Sequence, residues 1–186
     1  GDNTIYGGDM ALETITATNK SVTLTAIGAV TDAYNNTTDN FSLGNGNLTI
    51  STSSGNIGAT GSGTGYLDVN TTGQIDLSAT SFWASIYINS TGSSTDIGTV
   101  TAGSAALDNG VFELASAGDI TQSGVITSYY LLVTGSGAVN LSTQENIIVM
   151  LNASSAVGDF SFDNGNNNIT INGAINTSSN GNITLD

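Results

Sequence analysis

The chain has no histidine, no cysteine and no proline, and a single cation, Lys20, stands against fifteen carboxylates. Each absence removes a class of chemistry. Without histidine there is no imidazole base to activate a serine nucleophile. Without cysteine there is no thiolate nucleophile, no disulfide framework and no thiolate metal site. Without proline, turns must be made by Gly, Asn, Asp and Ser. A net charge of −14 repels a phosphate backbone and an anionic lipid surface. No apolar run is long enough to cross a membrane as a helix. Charged residues make up only 9% of the chain, against a usual ~25%. The surface must therefore be built mainly from Asn, Ser and Thr. The opening GDNTIYGG has the same style as the rest of the chain and reads as a mature or excised segment.

What is present is one pattern repeated along all 186 residues. Helical periodicity does not persist, and Gly, Ser, Thr and Asn are poor helix formers. The recurring unit is a pair of apolar residues two apart. Val22/Leu24, Leu48/Ile50, Ile75/Leu77, Leu131/Val133, Val139/Leu141, Phe160/Phe162 and Ile183/Leu185 are examples. A spacing of two puts both side chains on one face of a strand. Turn residues bound each burst, as in GNGN before Leu48 and NGNNN before Ile169.

A β-sandwich also spaces its strands by 8–12 residues, but its strands are longer and its outer face carries more charge. Strands this short cannot close a core one at a time. They can if each group of two or three forms one turn of a coil stacked on the next. The sequence thus predicts an all-β parallel β-helix (β-solenoid) over residues 1–186, with roughly 20 residues per turn and about nine turns. At ~4.8 Å per stacked strand, the rod is about 43 Å long. Inward doublets make aliphatic columns, and outward Thr, Ser and Asn make like-on-like ladders where charge is unwelcome. The segments around Ile15, Val22 and Leu24 and around Ile175, Ile183 and Leu185 match at an offset of about 160 residues. That match predicts a segment of a longer rod or tandem array.

Few residues invite a chemical role. The run FWASIYI at 82–88 has apolar residues on both faces. It predicts either a loop packed on the outside of the coil or an aromatic contact patch of Phe82, Trp83 and Tyr87 for sugar or protein. The GSGTG at 61–65 lacks the lysine and helix of a phosphate loop. Glycoside hydrolysis needs two carboxylates at a defined separation; Asp68 with Asp76, or Asp159 with Asp163, lack basic and aromatic support. The oxygen-rich DNGNNN at 163–168 offers Asp163 to calcium, but reads better as a solvated corner. Asn-x-Ser/Thr sites are frequent, and Asn36, Asn70, Asn140 and Asn168 are candidate glycan carriers on the rod surface. No catalytic residue, cofactor or metal site is expected.

The segments GDITQSG, LLVTGSGAVNL, the N-x-I-x-x-L-x-A run from Asn146, GDFSF and ITINGAI resemble the repeat region of filamentous-haemagglutinin-type exoproteins. IGAVTDAYNN and GNLTISTSSGNIGA are similar to it too, so the resemblance spans nearly the whole chain. These are very large bacterial surface adhesins, mostly exported by two-partner secretion. The resemblance implies a right-handed parallel β-helix, secretion or display at the cell surface, and a structural or adhesive role without catalysis. The family's secretion domain carries Asn-Pro motifs, and this chain has no proline, so it looks like shaft. The implied partners are flanking repeats or neighbouring copies stacked end to end by their β-edges, and glycans or proteins of a host or community. A filament subunit assembling head to tail is the alternative, and a polysaccharide-active β-helix enzyme a further one.

Overall fold

The computed structural model describes residues 3–34, 36–60, 65–104, 109–155, 157–178 and 180–186. All regular structure among them is β, and every strand pair is parallel. The strands stack as a β-solenoid of about eight turns, about 22 residues apart. The sequence pattern suggests about nine turns of roughly 20. The difference comes from the first half, where corners carry longer insertions. Val22 lies under Leu48 after 26 residues and Phe41 under Val69 after 28, whereas Leu131 and Leu151 are 20 apart. At one strand spacing per turn the stack is about 38 Å tall.

Three faces build the coil. The first stacks β1 (Asn3–Gly7), β4 (Val22–Ala26), β7 (Leu48–Thr52), β9 (Gln74–Ala79) and β11 (Ser94–Ala102). It continues through β13 (Asp119–Gln122), β15 (Val139–Leu141), β17 (Phe160–Phe162) and β19 (Ile183–Leu185). The third stacks β3 (Ile15–Thr16), β6 (Phe41–Gly44), β8 (Leu67–Thr71), β10 (Ile86–Ser90), β12 (Val111–Ser116), β14 (Ile126–Gly135), β16 (Ile147–Ser155) and β18 (Thr170–Asn176). Between them lies a narrow middle face. It begins with β2 (Met10–Leu12), β5 (Val30–Asp32) and bridges through Ile57 to Ile86. In the second half that column passes from Ile86 to Phe112, Leu131 and Leu151, while the first residues of β14 and β16 extend the first face beyond β11.

The doublets point inward and in register. Val22, Leu48, Ile75 and Ile97 form one column; Leu24, Ile50, Leu77, Val100 and Ile126 form the next. Phe112, Leu131 and Leu151 line the third face from within. Each of these side chains is fully or almost fully buried, worth ~1.5–3 kcal/mol apiece in transfer from water. The doublets of the last turn, Ile171, Ile183 and Leu185, hold the same inward register but are 42–47% exposed, since no further turn covers them. The segments around Ile15–Leu24 and Ile175–Leu185 occupy the same two faces, the third and then the first.

Corners are where the sequence spends its small and polar residues. A Cβ on Gly46 would lie 2.1 Å from the carbonyl oxygen of Lys20, one turn away, so only glycine lets the two corners touch. At the end of the third face Thr71, Ser90, Ser116 and Ser155 turn inward, and their hydroxyls satisfy corner groups. Thr71 donates to the carbonyl of Gly46 (2.6 Å), and Ser116 to that of Gly118 (3.2 Å). The ladders expected on the outside are thus partly inside, because a corner frees backbone groups that must find partners away from water.

Candidate functional site

The FWASIYI run divides into two parts with opposite fates. Ala84, Ser85, Ile86, Tyr87 and Ile88 are buried. Tyr87 faces out from β10 but is covered; its ring stacks on Tyr66 of the preceding turn with centroids 6.1 Å apart. Burial first, then a hydrogen bond to Glu113 and its charge, push the Tyr66 phenol well above its usual range. Tyr87 therefore leaves the expected contact patch and belongs to packing on the outside of the coil. Phe82 and Trp83 do the reverse. They sit on a tight turn closed by the Ala84 N–H donating to the Ser81 carbonyl (3.0 Å), and are 62% and 61% exposed. Their rings lie 5.0 Å apart, tilted by 33°. Trp83 has φ 64°, the left-handed region where a bulky residue is a genuine outlier, at a cost of ~1–3 kcal/mol.

The turn continues from β9, whose outer side helps to form a groove. Thr49 and Ser51 of β7, Asp76 and Ser78 of β9, and Thr99 and Thr101 of β11 line it, with Ile50 and Leu77; its volume is ≈ 240 Å³. A β-bulge shapes it. Gly98 and Thr99 together oppose Asp76, so the register of β11 shifts between Ile97 and Val100. The Thr99 N–H donates to Asp76 Oδ1 (2.7 Å), and a Cβ on Gly98 would meet that oxygen at 2.2 Å. Outward hydroxyls run in register past the groove, from Thr25 through Ser51, Ser78 and Thr101 to Thr127. The sequence carries one sign of the bulge, an isolated glycine within the strand pattern TDIGTVTA.

The carboxylates weighed for catalysis serve the coil. Asp68 and Asp76 are not brought together: Asp76 lies on the outer side of the first face, Asp68 within the third. Asp159 Oδ1 accepts the Asn182 N–H (2.8 Å), and Asp163 Oδ1 accepts that of Gly165 (2.7 Å). Asp163 thus closes the DNGNNN corner. Among the described residues no group of three or more Asp, Glu, His or Cys is placed to hold a metal ion. Asp68 is the exception to full satisfaction. It is completely buried; Oδ1 accepts Asn89 Nδ2 (2.5 Å), and Oδ2 has no partner. Burial above all, then the charges of Asp32 and Asp39, push its carboxyl up, while the Asn89 hydrogen bond pulls it down. Residues of the preceding turn help make this environment: the Asp68 N–H donates to Asn40 Oδ1 (2.9 Å), and Asp32 and Asp39 bring their charge close. Asp39 accepts from Asn70 Nδ2 (2.9 Å) and Thr91 Oγ1 (2.6 Å), reaching across to later turns.

No protein-family model matches the chain, no curated protein matches it, and no solved structure matches it. The outer surface must therefore be read from its own residues.

The glycan candidates differ in access. Asn140 and Asn168 are exposed. Asn36 is half-buried, its Oδ1 accepting the Thr38 N–H (2.7 Å). Asn70 is half-buried and spends on Asp39 the same nitrogen a glycan would need. Asn40, which also precedes a hydroxyl residue by two, is fully buried; its amide donates to Leu12, Glu13 and Asp32 and accepts the Asp68 N–H. Sequence spacing alone could not separate these inward asparagines from outward ones. Asn35 and residues 61–64 of the GSGTG segment lie outside the described residues.

Proposed function

We propose that the chain is a non-enzymatic structural and adhesive rod of an extracellular surface exoprotein. The observation that carries this reading is the solenoid itself. Its turns are held in register by aliphatic columns, and inward polar side chains such as Thr71, Ser116 and Asn146 close its corners. Such a body is good at holding outer surfaces at a distance, with one set of outward groups per ~4.8 Å of length. The resemblance to filamentous-haemagglutinin-type repeats points the same way. Its surface, dominated by Thr, Ser and Asn and carrying −14 charges, suits weak, spread contacts with neutral or cationic material.

The test joins shape and adhesion. Small-angle scattering should give an elongated particle, and beads coated with the protein should be retained on bacterial or host cell surfaces. Turnover of a polysaccharide by the purified chain would overturn the reading.

A second reading concerns assembly, and the half-exposed Ile171, Ile183 and Leu185 favour it. Among the described residues, β18 and β19 each pair on one side only, and the open edge can take another turn from a flanking repeat or a neighbouring copy. Association between copies should strengthen with salt, which screens the shared negative charge. Sedimentation across a range of protein and salt concentrations reads this directly, and a monomer under all conditions would sink the filament reading.

A further inference from the structure

We propose that the Phe82–Trp83 turn and the hydroxyl groove beside it bind a neutral polysaccharide lying along the rod axis. The proposal rests on the reading of the chain as a rod that presents its outer surface, and names what that surface holds. Three observations converge on it. The first is the pair of exposed rings, 5.0 Å apart and slightly tilted, which offers two apolar faces to the C–H faces of sugar rings. Trp83 is held in a strained left-handed conformation that keeps it on the tip of the turn, and strain of this kind clusters at recognition sites. The second is the groove on the outer side of β7, β9 and β11, which shares β9 with the turn. Asp76 and Ser78 lie on β9, the strand that runs directly into the turn. Thr49, Ser51, Thr99 and Thr101 complete a lining of hydroxyls around that one carboxylate. The hydroxyl column repeats once per turn, ~4.8 Å, close to the length of one pyranose residue in an extended chain. A polysaccharide parallel to the axis therefore meets one hydroxyl per sugar.

The third observation is charge. The groove lining holds one carboxylate and no cation, and the chain carries a single lysine. Uronate and sulfate groups would be repelled, which excludes an anionic chain, and a lining of hydroxyls around one carboxylate matches the hydroxyl groups of a neutral one.

Trp83 is the only tryptophan, so its fluorescence reports this patch alone. The intact protein is titrated with neutral hexasaccharides (β-1,4- and β-1,3-linked glucose, β-1,4-linked N-acetylglucosamine, mannose) and with polygalacturonate. At least one neutral chain should give a saturable blue shift, and polygalacturonate none. Phe82→Ala keeps the reporter and should weaken binding about tenfold. Trp83→Gly relieves the backbone strain and should abolish binding by calorimetry while leaving the fold intact. No saturable shift with any neutral chain, an unchanged affinity in Phe82→Ala, or a shift that follows protein concentration without sugar would each overturn the proposal. Scattering on the same samples separates the two readings. An elongated particle without sugar response defeats the site alone, and a compact particle defeats the rod.

Discussion

At the scale of single residues, the coil depends on polar side chains that face inward. Asn146 is fully buried at a corner. Its Nδ2 donates to the carbonyls of Leu141 (3.0 Å) and Asp163 (2.9 Å), and its Oδ1 accepts the Ile126 N–H (3.0 Å). Asn146→Ala leaves the Ile126 N–H without that partner, while the Leu141 and Asp163 carbonyls keep the backbone N–H groups of Asp163 and Asn146, and should cost about 1–3 kcal/mol in urea unfolding, the penalty of one orphaned buried group. Asp68 poses the opposite case, a buried carboxyl whose proton is held more tightly in the folded protein than in the unfolded chain. Its contribution is fully favourable below the ordinary carboxylate range. That contribution is lost as the pH rises from there through the raised native value. Asp68→Asn should therefore be more stable than the parent at pH 7 by roughly 1 kcal/mol, with the advantage vanishing near pH 3. Urea midpoints of both proteins across that range check it; an equal difference at both ends would contradict it. Neither Asn146 nor Asp68 announces itself in the sequence. Asn146 stands among many asparagines of the same look. Asp68 alternates with Leu67 and Val69 as an outward residue should, yet it is buried, with Asp39 and Asn40 of the turn before beside it.

At the scale of elements, the apolar doublets were legible because a spacing of two leaves little freedom: Leu24, Ile50 and Leu77 had to share a face, and they share a column. What decides the energetic weight of each is its position in the stack. Leu77→Ala, with turns on both sides, should cost about 2–5 kcal/mol. Ile183→Ala, on the half-exposed last turn, should cost under about 1 kcal/mol. Denaturation midpoints of the pair check the contrast, and equal losses would show that the turns do not stack as described. The glycine at position 98 hints at the bulge, yet its consequence, a groove around Asp76, needs the neighbouring strands to be visible. Apolar residues on both faces of the FWASIYI run are readable from the sequence, and Ile86, Tyr87 and Ile88 bear this out by burial on both sides of β10. The exposure of Phe82 and Trp83 arises from the turn at Ser81–Ala84, and local pattern does not encode which way a turn presents its rings.

At the scale of the whole molecule, composition and architecture are one fact. A coil whose outer columns repeat at the strand spacing cannot tolerate stacked charge, and its corners favour Gly, Asn and Ser, so a chain with 9% charged residues and no proline is what such a coil selects. The central claim is that parallel turns of about 22 residues stack in a single register. The chain has no cysteine, so spin labels go only where they are placed. Tyr6, Thr25, Ser51, Ser78, Thr101, Thr127 and Ile147 succeed one another down one outward column. Pulsed electron–electron spectroscopy on cysteine pairs anchored at Tyr6 should give distances of about 19 Å to Thr101, about 24 Å to Thr127 and about 29 Å to Ile147, one strand spacing per turn. Distances that fail to grow with the number of turns crossed would contradict the solenoid and everything argued from it.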